Sequence, residues 1–233
     1  PTDDYFSSQS NNYLESISSE NKPRLSTGRI PASNIQEALS YIGKLKKYLK
    51  NENFGAWRSK VLLVADDENK AGSPISNEIK HTEYSNNIYK KISDITFTKT
   101  LYGVMYNPVY IGSDIRFPQL TDDIIKYINK GVGLINYIGH GDPNKWSAEN
   151  IIEKNRDLNL INIDSGKLPI WVAGTCSFGR YDGIESMSEA LLFDIEGAIS
   201  IVGAARSISQ AINRDFSDGF YTSMETYIES QDI

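Results

Sequence analysis

Four short apolar runs set the terms on which this chain can fold: VLLVA (61–65), GLINYI (133–138), LPIWVA (168–173) and AISIV (198–202). Each is rich in branched residues and is bounded by charge, glycine or proline, as strands are. A run that is apolar on both alternating faces needs cover on both sides, which only the inside of a parallel sheet supplies. The intervening segments carry apolar residues at helical spacing and are long enough for crossover helices. The chain is therefore expected to adopt an α/β fold, a parallel sheet flanked by helices on both faces. A further strand is expected near 95–102. Helices are expected near 77–92, 121–130, 185–193 and 209–228, with a short one at 147–154. An earlier helix is expected to start at Ser33 as N-cap, with Ile35, Leu39, Ile42 and Leu45 on one stripe. Its Lys44, Lys46, Lys47 and Lys50 read as a solvated face. The domain plan is a loop at 1–28, a first lobe at 29–130 and a second lobe at 131–233.

Composition narrows the function. The 233 residues are 39% hydrophobic and 23% charged, ordinary for a folded chain, with a net charge of −6. An acidic balance is a poor match to nucleic acid. No run approaches the roughly 18 apolar residues of a membrane span. The chain opens at Pro1 without a signal peptide or initiator Met, so it reads as a fragment or processed form. The single cysteine excludes an intrachain disulfide and cysteine-rich zinc sites, and two histidines, His81 and His140, exclude a histidine-rich metal centre.

The chemistry gathers at two strand ends. One strand runs into Gly139-His140-Gly141 and another into Gly174-Thr175-Cys176. Functional groups of an open parallel sheet collect at its carboxyl edge, and adjacent strands would bring these two loops together. A thiol attacks acyl carbon as thiolate, and an imidazole within reach is the usual activator. The flanking glycines remove bulk for an approaching peptide, and the N–H groups of Gly141 and Cys176 are candidates for an oxyanion hole. Against this, Gly-His-Gly is often a plain turn, and a lone cysteine is often a small buried apolar residue.

A hydrophobic strand ending in His-Gly, then one ending in a small residue and Cys, resembles the caspase-like cysteine peptidases. The block NYIGHGDPNKW and the segment GRIPASNIQEALSYIGKLKKYLK resemble the gingipain family in particular. Within it, PTDDYF, FGAWRSKVLLVADDEN, RFPQLTDDI, LPIWVAGTCSFGRYD and EGAISIVGAAR are similar to the sortases of the type IX secretion system (PorU-type). The resemblance implies Cys176 as nucleophile, His140 as base and an orienting acid at Glu68, with Asp67 in reserve. It implies a substrate-reading carboxylate at Glu78. A solvated acidic turn and a helix-start carboxylate are the bland readings of those two.

The resemblance also implies a caspase-like fold lacking its first strands here, and a location on the bacterial surface or outside the cell. The implied activity is cleavage of carboxyl-terminal sorting domains from secreted cargo, with transfer to a surface amine and outer-membrane secretion components as partners. A non-catalytic binding module and a plain surface protease are the alternatives. The chain departs from the family pattern at Tyr102-Gly103-Val104, Asp142-Pro143 and Ala204-Ala205. Structural calcium follows only from the resemblance, with Asp66, Asp67, Asp114, Asp122 and Asp123 as oxygen donors; no cofactor is otherwise required. Trp146 and Phe178 read equally as walls of a substrate pocket or as core. His81 reads as a structural histidine, and Arg180 and Asp182 as a pair bracing the nucleophile loop.

Overall fold

The computed structural model describes residues 27–67, 80–112, 114–163 and 166–230. These described residues divide between Ala38 and Leu39 into two compact units. In chain order the regular elements are α1 (Ile35–Leu49), β1 (Lys60–Ala65), α2 (Lys80–Ile92), β2 (Phe97–Tyr102), β3 (Val109–Ile111), β4 (Asp114–Arg116), α3 (Pro118–Asn129), β5 (Leu134–Ile138), β6 (Gly141–Asp142), β7 (Lys145–Trp146), β8 (Ile152–Glu153), α4 (Lys154–Asp157), β9 (Ile170–Gly174), α5 (Met187–Phe193), β10 (Ser200–Gly203) and α6 (Gln210–Glu229), with short 3₁₀ turns between some of them.

The central sheet has the order β10-β9-β5-β1-β2, and its pairings are parallel. The period-two alternation of the strands sorts their side chains onto two cores. Leu62, Val64, Ile135, Tyr137, Trp171 and Ala173 face α3 and α5. Val61, Leu63, Ala65, Leu134, Ile138 and Val172 face α2 and α6. This is the α/β architecture expected from the apolar runs. Strands β1 and β2, from the segment read as a first lobe, extend the same sheet as β5, β9 and β10 of the second.

Three local expectations are corrected. The helix expected at 147–154 is replaced by the three-stranded β6-β7-β8 sheet, because Ser147 and Asn150 take left-handed backbone that a helix cannot hold. The first helix is capped by Asn34, whose side chain accepts the Glu37 N–H at 3.0 Å, not by Ser33. Lys44 is not solvated: its ammonium is buried and donates to the carbonyls of Leu192, Asp194 and Ala198 at 2.5–2.7 Å. Burial lowers its pKa to about 8, partly offset by Asp194. The cation thus satisfies orphan carbonyls at the end of α5 and before β10.

Candidate active site

Strands β5 and β9 are neighbours, with Ile138 opposite Gly174. His140 and Cys176 each follow two residues beyond that pair, so both emerge at the carboxyl edge of the sheet, on one rim. His140 is exposed and Cys176 half-buried, as a free thiol.

The His140 backbone is held from three sides. Asp66, just past β1, accepts its N–H at 3.0 Å. Its carbonyl accepts the Tyr137 hydroxyl at 2.6 Å and the Ser147 N–H at 2.7 Å. The Ser147 bond makes Gly141 and Trp146 the non-hydrogen-bonded pair of the β6-β7 hairpin, so this ladder makes no use of the Gly141 N–H. Beneath the hairpin, Trp146 stacks on Tyr137 with ring centroids 4.3 Å apart, and packs near Trp171 and Phe178. Trp146 and Phe178 are fully buried. That corrects the pocket-wall reading: neither offers surface to a substrate, and they form the floor on which the rim rests.

The glycines also prove to serve the chain's own packing. A Cβ on Gly139 would lie 2.5 Å from the Asp66 Cβ, and one on Gly141 would lie 2.7 Å from Thr175 Oγ1 and 2.9 Å from the Lys145 carbonyl oxygen. The bulk they omit makes room for Asp66 and for the Cys176 loop, which brings the two strand-end loops into contact.

On the other side, the Cys176 loop is stitched to the segment after β10. Ser177 and Gly179 donate their N–H groups to the carbonyls of Arg206 and Ala204, and the Cys176 thiol donates to the Ile208 carbonyl at 3.6 Å. Ser177 has a left-handed φ of 56°, a turn that such stitching sustains. From the start of α6, Asn213 bonds the Gly174 carbonyl at 2.5 Å. Arg180 and Asp182 do pair, at 3.2 Å, and Arg206 joins them on the surface. Those two contacts hold Asp182 below the usual carboxylate range, the Arg206 bond contributing most.

Behind His140 lies a feature that no stretch of the sequence announces. Asp66, Asp67 and Glu149 are all buried, with carboxylate oxygens within 4.8 Å of one another. Ser147 donates its hydroxyl to Glu149 and accepts the Glu149 N–H at 3.0 Å. Asp66 accepts N–H groups on both oxygens, from Asp67 at 2.9 Å and from His140. Burial, reinforced by the neighbouring Glu149 and Asp67, pushes Asp66 up to about 7, against the pull of the His140 N–H. Burial raises Glu149 as well, and the nearby His140 works in the opposite direction. A cluster so desolvated relieves its charge by keeping a proton. Of the five aspartates considered for calcium, only Asp66 and Asp67 take part. Asp114 pairs with Arg116 on the surface, Asp122 is exposed on α3, and Asp123 accepts the Tyr106 hydroxyl. The one clue to Glu149 in the sequence is a lone acid between Trp146 and the apolar Ile151-Ile152. Glu68 and Glu78 lie outside the described residues. His81 is on α2, buried, and its ring meets that of His140.

A family model described as peptidase family C25 matches residues 1–232. An uncharacterized protein of Archaeoglobus fulgidus is 23% identical over 216 residues, covering 85% of this chain and 51% of its own length. Among solved structures, the Arg-specific cysteine proteinase gingipain R (RgpB) superposes with a TM-score of 0.66 at 16% identity, over 88% of this chain and 45% of that one. A complex of the pro- and mature domains of Porphyromonas gingivalis RgpB gives 0.62 at 20% identity, over 85% and 45%. The chain thus spans about half the length of these relatives.

Proposed function

The chain belongs to peptidase family C25, and from that premise we propose that Cys176 and His140 form the nucleophile and base of a cysteine endopeptidase. His140 takes the thiol proton, and the thiolate adds to a peptide carbonyl carbon, forming the C–S bond. The N–H groups of Gly141 and Cys176 hold the oxyanion, at roughly 3 kcal/mol per donor. Collapse breaks the C–N bond, and His140 returns the proton to the departing amine. The thioester then passes to water, giving an acid, or to a primary amine, giving an amide. This chemistry requires no cofactor. By the resemblance, Glu68 orients His140 and Glu78 reads the substrate side chain.

The observation that carries the proposal is the β5-β9 register, which delivers both groups to one rim. The substrate we propose is a carboxyl-terminal sorting domain of secreted cargo, with transfer to a surface amine and a place on the cell surface beside outer-membrane secretion components. The sortase-like segments support that narrower reading. Among the described residues no helix is long and apolar enough to cross a membrane.

The test is to incubate the protein with a cargo domain and a primary amine and to analyse the products by mass spectrometry. The expected product is the amide, absent with Cys176→Ala. Acid product alone would mean a plain protease, and binding without cleavage would mean a docking module.

A further inference from the structure

The bonds that hold His140 by its N–H and C=O fix its backbone, and contacts made by the ring itself set its two side-chain torsions. An exposed histidine has several rotamer wells open to it, and only some of them turn a nitrogen toward a sulfur on the neighbouring loop. Helix α2 supplies one of those contacts. The ring of His81 lies with its centroid 5.2 Å from that of His140, the planes at 85°. This is the edge-to-face geometry that aromatic pairs prefer at such distances.

His81 is in turn well anchored. It is 5% exposed and shares the buried face of α2 with Ser85, Ile88 and Ile92. That face packs on β1, β2 and β5, and α2 also packs on α6. A side chain on a buried helix face is a firmer brace than one on a loop.

We infer that His81 is a positioning residue for His140, holding its imidazole by ring-on-ring contact in the rotamer that addresses Cys176. His81 itself exchanges no proton with substrate. The inference builds on the Cys176–His140 reading, and the experiment separates failure of one from failure of the other.

Two variants decide it. His81→Phe keeps an aromatic ring at the contact, and His81→Ala removes it. With a cleavable peptide, the Phe variant is expected to keep kcat close to wild type. The Ala variant is expected to lose about tenfold or more in kcat, with KM unchanged, as for a misplaced catalytic group. Wild-type kcat in the Ala variant overturns the inference, as does a Phe variant that loses as much as Ala.

Proton NMR of the His140 ring gives a second readout that needs no activity, and with two histidines in the chain its assignment is direct. The ring-current shift imposed by His81 is expected to vanish in the Ala variant and to persist in the Phe variant. A wild-type protein without peptidase activity would sink the dyad while leaving this spectroscopic result intact. An unchanged His140 ring shift in the Ala variant would sink the positioning role.

Discussion

Substituting Gly141 by alanine probes the contact between the two strand-end loops. Gly141 has no left-handed φ, so the cost of a methyl group there is one of space alone. Ordinary contact begins near 3.4 Å, and the new Cβ would stand 2.7 Å from Thr175 Oγ1 and 2.9 Å from the Lys145 carbonyl oxygen. Thr175 cannot simply rotate away, since its Cγ2 is already at 3.3 Å and a β-branched side chain is stiff. The other contact is backbone, so the β6-β7 hairpin must open. Such overpacking costs about 1–3 kcal/mol. A shift of about 1 Å between catalytic groups costs on the order of a hundredfold in rate.

Thr175→Ala should relieve half of the clash. Its Oγ1 is buried without a hydrogen-bond partner among the described residues, so its removal leaves no broken bond. The expected pattern is a severe loss in Gly141→Ala, little loss in Thr175→Ala, and partial recovery in the double variant. The assay is the alkylation rate of the single cysteine at pH 7, followed by intact mass, with thermal melting alongside. A Gly141→Ala protein that reacts and melts like wild type would refute the reasoning. So would a double variant no better than Gly141→Ala, because the loops would then not press on each other through Thr175.

Three further outcomes are expected. The folded pKa of Asp66 lies above its ordinary 3.8, near 7, so between those values the folded state holds a proton that the unfolded chain has released. The associated stability is present at low pH and is lost as pH rises through that window, by at most ~4 kcal/mol. Urea unfolding at several pH values should therefore show wild type losing ground to Asp66→Asn from about pH 4 to about pH 7; a pH-independent difference would contradict this. Lys44→Met keeps the aliphatic stem but strands three carbonyls, and should cost about 2–4 kcal/mol in the same assay, where a neutral result would mean that water replaces the ammonium. Trp146→Ala removes the floor of the site and should cost about 3–5 kcal/mol; a loss below 1 kcal/mol, measured the same way, would mean that the aromatic stack contributes little.

The strands are legible because burial on both faces leaves an unbroken apolar run, and the two strand-end loops are legible because glycine, histidine and cysteine interrupt such runs abruptly. What stays hidden depends on long-range contact. Lys44 looks like its basic neighbours until the end of α5 supplies the carbonyls that take it in. Trp146 and Phe178 flank His140 and Cys176 in sequence, but the β6-β7 hairpin carries the first, and the turn at Ser177 the second, beneath the rim. Ser147 and Asn150 sit in a stretch of good helix formers, and only the pairing of β7 with β8 forces them into left-handed backbone. The carboxylate cluster joins residues 66, 67 and 149, and the His81–His140 contact joins two different elements, so no local pattern announces either. The glycines stand out at the right positions, but the neighbours that take up the omitted space, Tyr137, Asp66 and Thr175, come from the folded chain.

The central claim is that Cys176 is reactive because His140 serves it. The most direct measurement is the rate of carbamidomethylation of the single thiol at pH 7, followed by intact mass, in wild type and in His140→Ala, with folding verified by circular dichroism. The account predicts a fall of about tenfold or more when the imidazole is removed. Equal rates in the two folded proteins would contradict it.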